Sequence, residues 1–401
     1  MMTTTSGAPL AGITVIDVGQ IYNGPYCSFL LAMAGARVIK VEPPAGDPLR
    51  RRSVVGGAAL PFAMLNSNKD MVTLNLKSER GREIFREMVA RGDAVVENYA
   101  PGTMERLGLG YEELAKVNPR LVYAAGSGYG RSGPKSRYPA MDLTVQAMTG
   151  VMSTTGFPDR PPVKAGPAIA DFFGGVHLYA GLVTALYERS VTGRGRLVEV
   201  SMMEGLYPSL SSSLGLYYGT DGAVPPRTGN RHAGLAEAPY NVYPTRDGHI
   251  AIICVSDAHW VNLTRAMGRA DLGEDPGLDT LKKRVERMDE VDELVSAFTM
   301  QHDKEPLFAL LNDHRVPCAP VRTLDEVVND EHLHGRGALE WTEHPMYGRV
   351  PLMRSALRFD GQERVDLRPS GELGRDNAAV YGDWLGLPAG EIEQLSREGT
   401  I

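Results

Sequence analysis

The sequence is short of cysteine, of long apolar runs and of basic charge, and each shortage removes a class of protein. Three cysteines, Cys27, Cys254 and Cys318, are spread over 401 residues. An odd number at such spacing is no disulfide frame; it fits a reducing compartment, so a cytoplasmic location is expected. Each thiol reads as a small buried hydrophobe. No apolar run reaches the roughly 18 to 20 residues of a membrane helix, so no membrane association is expected. Met1 to Leu10 is small and polar, without a basic patch ahead of an apolar run, so no signal peptide is expected. The net charge of −7 argues against a nucleic-acid coat. It leaves room for a polyanionic small molecule where basic groups are focused locally. Glycine (45) and proline (27) fall short of a low-complexity composition, and the length allows two or three domains.

Several signatures are missing as well. The first strand-to-helix turn reads Gly19-Gln20-Ile21-Tyr22-Asn23-Gly24-Pro25, not G-x-G-x-x-G, and no GK[ST] follows a glycine-rich loop. Gly126-Ser127-Gly128-Tyr129-Gly130 has its serine in the wrong place for a nucleophile elbow. There is no HExxH and no CxxC, and His332 and His334 would not share a helix face. No metal site and no prosthetic group are expected.

What is present is a β-α-β rhythm in the first half. Ile13–Val18, Val38–Val41, Met71–Leu76, Ala94–Val96 and Leu121–Ala125 read as strands. Helical spacing covers Tyr26–Ala34, Glu79–Arg91 and Tyr111–Val117 between them. The pattern predicts an α/β fold with a parallel sheet covered by helices. Further helices are expected at Asp142–Gly150 and Gly175–Arg189, a strand at Leu197–Val200, and a helix opened by Ser201 with Glu204 at the capping-box position. Strands at Asn241–Tyr243 and His249–Val255 flank a turn at Arg246-Asp247-Gly248, with helices at Trp260–Met267, Met288–Thr299 and Pro306–Asp313. The expected division is a large domain over 1–200, a linker helix and loop over 201–240, a small α+β domain over 241–328, and a return segment over 329–401. The return segment carries short strand signals from Leu339 and a last helix near Ala379–Leu385.

Two kinds of motif carry chemistry. Pro161 to Asp171 ends at an acid, followed by Phe172-Phe173-Gly174-Gly175 and a long apolar helix. An apolar flank desolvates a carboxylate and strengthens it as a nucleophile, and the glycines Gly174 and Gly175 could offer N–H donors to an oxyanion. The competing reading is that Asp171 only caps the helix. The second kind sits at strand ends, where open α/β sheets bind ligands. Asn66-Ser67-Asn68-Lys69-Asp70, Leu74-Asn75-Leu76-Lys77 and Asn98-Tyr99-Ala100-Pro101-Gly102, with Arg106 beyond, are such segments. Lysine and arginine there could neutralise phosphates and Tyr99 could stack on a base, or each cation could be a solvated surface charge. Arg50-Arg51-Arg52 is the densest basic run, a phosphate contact or a solvated loop.

Taken in order along nearly the whole chain, these segments resemble the class III CoA-transferase family, the CaiB/BaiF group. Pro9 to Gly24-Pro25, Gly35 to Glu42, Asn68-Lys69, Val96 to Tyr99 with Pro101-Gly102, Asn118-Pro119-Arg120, Ala170 to Gly175, Thr192-Gly193-Arg194-Gly195 and Gly229-Asn230-Arg231-His232 carry the likeness. The resemblance implies a Rossmann-like large domain built from both ends of the chain, a smaller α+β domain, and an interlocked homodimer. It implies CoA and acyl-CoA as substrates, with the catalytic aspartate at Asp171. CoA contacts are implied at Tyr22, Asn23, Leu74, Asn75, Leu76, Lys77, Asn98, Tyr99, Ala100 and Arg106.

Two departures bear on substrate. A basic residue that some members place after the second strand is Pro43 here, so Arg50 to Arg52 are expected to substitute. The glycine-run flap of the formyl-CoA enzyme is absent, leaving Gly229 and Gly234, which argues against formyl-CoA and oxalate. The related α-methylacyl-CoA racemases need a His-Asp pair where this chain has Met141-Asp142, and methionine cannot pass a proton. Asp142 is then a helix cap or a CoA- or substrate-orienting acid, and Arg231 and His232 are candidate contacts to a substrate carboxylate, or a loop-stabilising pair. The expected reaction moves CoA from a thioester to a carboxylic acid through an anhydride and a thioester on Asp171. Short-chain or dicarboxylic acyl groups, such as succinyl-CoA with a C4 to C5 acid, are the expected substrates. A racemase-like isomerase and a non-catalytic CoA-binding module are the alternatives.

Overall fold

A computed structural model describes residues 7–51 and 59–401. Residues 1–6, part of the stretch read for a signal peptide, and Arg52 of the basic run lie outside these. The described residues form two compact units: one of residues up to Val145, Pro167–Leu206 and Asp330–Ile401, the other of Gln146–Gly166 and Tyr207–Asn329. The second unit therefore takes residues 146–166 out of the stretch assigned to the large domain, and it starts inside the expected linker.

In the first unit six strands form one parallel sheet: β1 (Thr14–Asp17), β2 (Arg37–Glu42), β3 (Lys69–Thr73), β4 (Ala94–Glu97), β5 (Val122–Ser127) and β6 (Leu197–Ser201), in the order β3-β2-β1-β4-β5-β6. The order reverses beside β1, and a doubly wound sheet opens its binding crevice at that switch point. The strands are mainly apolar on both faces because both are covered, with buried charged exceptions such as Asp17, Lys40 and Lys69. Ile16, Ile39, Val95 and Tyr123 face a core with helices α2 (Glu79–Arg91) and α3 (Tyr111–Val117) and the chain's last residues. Val15, Val38, Val96 and Ala124 face α1 (Asn23–Met33) and α5 (Ile169–Thr192). A short helix α4 (Asp142–Thr149) precedes α5, and α6 (Met202–Leu206) follows β6.

The exposed edge of β3 is closed by the returning chain. Met71 and Thr73 donate their N–H groups to the Asp376 and Asn377 side chains at 2.6 and 2.9 Å, and Tyr381 Oη donates to the Thr73 carbonyl at 2.7 Å. An unpaired strand edge invites association, and here two side chains replace the missing neighbour. The end of the chain holds a π-helical segment, Ala378–Trp384, and a helix α10 (Ala389–Arg397). The first matches the expected last helix; the second is largely polar and shows only one buried side chain, Leu395, so apolar spacing did not signal it.

Two boundaries differ from the sequence reading for physical reasons. The expected helix start at Gly175 moves back to Ile169, because Gly174 and Gly175 are helical residues at a close packing contact rather than breakers. Strand β3 begins at Lys69, whose charge hides a fully buried position. Helix α5 is long and apolar enough to cross a membrane, yet Leu178, Leu182, Ala185 and Leu186 pack it into the sheet core.

The second unit has an antiparallel sheet of β7 (Tyr240–Pro244), β8 (His249–Ile253) and β9 (Cys318–Pro320). Helices α7 (Asp257–Ala266), α8 (Met288–Thr299) and α9 (Lys304–Asp313) cover it around Trp260, Leu263, Val291, Val295 and Leu307. The turn at Arg246-Asp247-Gly248 is present, closed by Thr245 N–H on the Gly248 carbonyl at 2.9 Å. The strands β10 (Leu339–His344) and β11 (Gly348–Met353) form the hairpin signalled in the return segment, within the first unit.

Candidate active site

A cavity of about 370 Å³ opens at the carboxyl ends of β1 to β4. It brings together Leu74, Asn75, Leu76, Lys77, Tyr99 and Arg106, all expected to contact CoA, with Pro43, noted above as the family's basic position, and with Gln20, Val41, Thr103 and Leu107, which the sequence reading missed. Its lining is mainly apolar, with two cations at hand. Lys77 and Arg106 are exposed, and Arg106 Nη2 donates to Thr103 Oγ1 at 2.9 Å. Gln20 Nε2 donates to Tyr99 Oη at 3.2 Å. A ring, an amide and two exposed cations suit a ligand that is part apolar and part phosphate. Gln20 was within reach of sequence reasoning, since it follows the first strand end directly. A second cavity of about 510 Å³, formed by Met33 and residues 354–365, contains none of the predicted site residues.

Four expected CoA contacts lie elsewhere. Asn98 is a brace: its Oδ1 accepts from Gln20 N–H at 2.7 Å and its Nδ2 donates to the Gln20 carbonyl at 3.0 Å. Ala100 is exposed and outside the cavity lining. Tyr22 stacks on Phe172 with ring centroids 5.9 Å apart, and Asn23 is buried at 1% exposure.

The basic residues divide sharply. Lys69, read as a possible phosphate contact, is fully buried and donates to Asp17 Oδ2 at 3.0 Å, the Pro25 carbonyl at 3.0 Å, Ser28 Oγ at 2.7 Å and Asn66 Oδ1 at 3.0 Å. Lys40, equally buried, donates to the Gly19 carbonyl and lies 3.4 Å from Asp47 Oδ2. Burial pushes the Asp17 carboxyl up, but Lys69 and Lys40 outweigh it and hold the group below the usual carboxylate range. Arg50 grips the buried Glu42 with Nε and Nη2 at 2.8 Å each and donates to the Gly371 carbonyl at 3.0 Å. It therefore does not substitute at Pro43. Arg51, itself exposed, closes a short helical turn.

Next to the cavity, Glu97 ends β4 and accepts from Tyr99 N–H at 2.8 Å. Burial pushes its carboxyl up to about 7, against Arg131 at 3.6 Å. Arg131 also pairs with Glu105.

Asp171 lies in the first turn of α5, whose N-cap is Ala168, so it is not the cap of its helix. That task falls to Asp142: its Oδ1 accepts from Ala170 N–H at 2.8 Å and from Asp171 N–H at 3.4 Å. Of the two roles expected for Asp142, the structure displays the cap, placed on the neighbouring helix. Phe172, next in sequence, packs edge-on against Tyr26 at 4.8 Å. Asp171 is partly exposed among these aromatic rings.

Gly174 and Gly175 take a different part from the one expected. They are buried inside α5, where helical geometry bonds their N–H groups to carbonyls one turn back, so they are no open oxyanion donors. Their missing side chains matter instead. A Cβ at Gly174 would meet Asn23 Nδ2 at 2.2 Å, and one at Gly175 would meet the Asn23 carbonyl oxygen at 2.8 Å. The glycines let α1 and α5 approach at the residue that touches Asp171.

In the second unit, Arg231 is committed to Asp289 at 2.6 Å and to Asp292 at 2.7 Å. Asn241 and Tyr243 share Asp292 at 3.0 and 2.7 Å. His232 Nδ1 accepts from Gly234 and Ala236 N–H groups at 3.2 and 3.3 Å. Arg231 is anchored to α8 and His232 to its own loop, which fits the loop-stabilising alternative.

Comparison with known proteins places this geometry. The family described as CoA-transferase family III matches residues 10–377. The acetyl-CoA:oxalate CoA-transferase of Acetobacter aceti is 40% identical over 94% of this chain and 97% of its own. The succinyl-CoA–D-citramalate CoA-transferase of Chloroflexus aurantiacus is 33% identical over 98% of each chain. The crystal structure of a CAIB/BAIF family protein from Brucella suis superposes with a TM-score of 0.82 at 31% identity, covering 94% of this chain and 99% of that one. With the doubly wound sheet, the strand-end cavity and a family match over most of its length, the chain belongs to CoA-transferase family III.

Proposed function

We propose that Asp171 is the group through which this CoA-transferase moves CoA from an acyl thioester to a free carboxylate. The observation that carries the reading is the loop after β1. It lines the cavity with Gln20 and stacks Tyr22 on Phe172, and Asn23, which opens α1 directly after it, donates to the Asp171 carbonyl at 3.3 Å. The same stretch of chain thus links the cavity to the acid, which supports the reading. A negative charge in the first turn of a 24-residue helix is electrostatically favoured, which suits a carboxylate that must leave again as well as attack.

The Asp171 carboxylate attacks the thioester carbonyl and expels CoA thiolate, leaving an acyl-aspartyl anhydride. The thiolate attacks the aspartyl carbonyl of that anhydride, releasing the first carboxylate and leaving an aspartyl-CoA thioester. The acceptor carboxylate attacks this thioester, re-expelling thiolate and forming a second anhydride. The thiolate then attacks the acceptor's acyl carbon, which yields the new acyl-CoA and frees Asp171. Every step exchanges one carboxyl derivative for another, so covalent catalysis divides a nearly isoenergetic exchange into easy steps.

Among the relatives, oxalate and D-citramalate are both short dicarboxylates. We read the acceptor here as a short dicarboxylate too, oxalate included, with acetyl-CoA or succinyl-CoA as donor. This revises the expectation against oxalate, which rested on a missing glycine run. The protein works without a prosthetic group, metal or nucleic acid, as a cytoplasmic enzyme not bound to membrane. A homodimer fits the outer face of α5, where Phe173, Val176, Tyr187 and Val191 are 43 to 73% exposed and a second copy would cover them. The capping role of Asp142, with methionine at 141, disfavours a racemase.

Replacing Asp171 by Asn keeps the size and removes the nucleophile. Transfer from acetyl-CoA or succinyl-CoA to oxalate or a C4 to C5 diacid should vanish, and the wild type alone should give a hydroxylamine- or borohydride-trapped mass shift on the Asp171 peptide. Undiminished turnover by Asp171→Asn overturns the reading. Wild-type binding of CoA without any adduct would support a non-catalytic module instead.

A further inference from the structure

Asn23 violates local rules in a way that stability does not explain. It is 1% exposed, its Nδ2 donates to the Asp171 carbonyl at 3.3 Å, and its Oδ1 is buried without a hydrogen-bond partner. Reversing the amide would turn oxygen toward the Asp171 carbonyl oxygen, so the donor must face Asp171 and the acceptor must be the orphan. A buried unmade acceptor costs free energy that an apolar residue of the same size would not incur. Two residues earlier Ile21, which is β-branched, is held at φ 64°, a conformation that strains such side chains.

Two glycines, Gly126 and Gly174, are shaped around the same amide, and a third, Gly175, around the Asn23 backbone. A Cβ at Gly126 would lie 2.3 Å from Asn23 Oδ1, in addition to the contacts that exclude side chains at 174 and 175. An orphan acceptor, a strained approach and a cradle of glycines thus meet at one residue. Strain of this kind concentrates where geometry serves a reaction.

We propose that Asn23 is a positioning residue: by holding the Asp171 carbonyl, it fixes the first turn of α5 and hence the direction in which the Asp171 carboxylate meets the thioester. Asn23 is not a CoA contact in this reading. The inference rests on Asp171 as nucleophile and adds the residue that aims it. Displacing a reacting group by about 1 Å from its productive geometry can cost on the order of 100-fold in rate.

The test uses the full-length enzyme with the donor, acetyl-CoA or succinyl-CoA, that the wild type turns over faster. Asn23→Ala and Asn23→Asp should each lower kcat and the single-turnover rate of adduct formation about 10- to 100-fold, with KM for the donor within about threefold. The thermal midpoint of Asn23→Ala should not fall, since the orphan acceptor is gone. Asn23→Asp keeps the volume but not the donor, so a wild-type rate there overturns the proposal, as does a wild-type kcat in Asn23→Ala or a raised KM with unchanged kcat. Gly126→Ala, which pushes the amide away without deleting it, should also slow adduct formation, and combining it with Asn23→Ala should add nothing. Multiplying effects would show a packing role and overturn it. Should Asn23→Ala not fold, the Asn23→Asp and Gly126→Ala arms decide. Active Asp171→Asn would sink the nucleophile itself; inactive Asp171→Asn beside fully active Asn23 variants would sink only this inference.

Discussion

Two sets of cations share one edge of the same sheet. Lys40 and Lys69 sit under the strand ends at 1% and 0% exposure, tied to Asp17, Asp47, Ser28 and Asn66. Lys77 and Arg106 stand at the rim of the cavity, exposed, at the ends of β3 and β4. The first set builds the platform from which the loop after β1 departs; Lys40 holds the Gly19 carbonyl in that loop. The second set is free to meet a ligand. The same residue type therefore supports the site from below and serves it from above, and only burial separates the two uses. A buried ion pair contributes mainly by not being broken, whereas an exposed cation contributes little until an anion arrives.

The largest effect should come from breaking the lower set. Lys69→Met leaves Asp17 charged, buried and short of its main partner. Unfolding in urea should show a loss of about 3–5 kcal/mol, the usual cost of orphaning one member of a buried pair. Adding Asp17→Asn should restore part of that loss, since the uncompensated charge is gone. A Lys69→Met protein as stable as the wild type would mean that the lower set is no platform.

The next effect tests the boundary between the two sets. Glu97 is 3% exposed, accepts the Tyr99 N–H, and faces Arg131 at 3.6 Å and, through it, Glu105. Its carboxyl titrates near 7, above the unfolded value of about 4.3. The folded state thus keeps a proton that the unfolded chain has already lost. Stability from this group is full below about pH 4 and is lost as pH rises through 7, by roughly 3 to 4 kcal/mol in all. Glu97→Gln should flatten that fall, measured as the difference between wild-type and variant urea midpoints from pH 4 to 8. Parallel curves would show that Glu97 stays ionised throughout.

How much of this was legible beforehand follows from the same physics. The sheet was, because strands covered on both faces read as continuous apolar runs, and so were the strand-end loops, because Leu74 to Lys77 and Tyr99 follow such runs directly. Asp171 stood out through its aromatic and glycine neighbours. What those glycines do was not legible: Gly174 and Gly175 read as donors, yet they are spacers for Asn23, a partner 148 positions from Asp171. Lys69 and Arg50 were misread for a related reason, since a cation's carboxylate lies far away in sequence or on another strand. Arg231 likewise found its partners some 60 residues on. Periodicity reports which face is buried; it does not report pairing across the fold.

The smallest effect concerns the upper set and is the most specific. Lys77→Ala and Arg106→Ala remove exposed charges, tied among the described residues by the Arg106 bond to Thr103, so neither should move the urea midpoint by more than about 0.5 kcal/mol. Each should raise KM for the acyl-CoA donor about fivefold, roughly 1 kcal/mol, and leave kcat unchanged, because a phosphate grip is the same in ground and transition states. The penalty should shrink as salt rises toward 0.5 M, where screening already weakens the wild-type grip. Lys69→Met should show the opposite pattern, a stability loss with little salt dependence, because its pair is out of reach of solvent ions. If Lys77→Ala and Arg106→Ala bind donor as tightly as the wild type at low salt, the cavity holds its ligand by its apolar walls and Tyr99 alone, and the division between supporting and serving cations fails on its upper side.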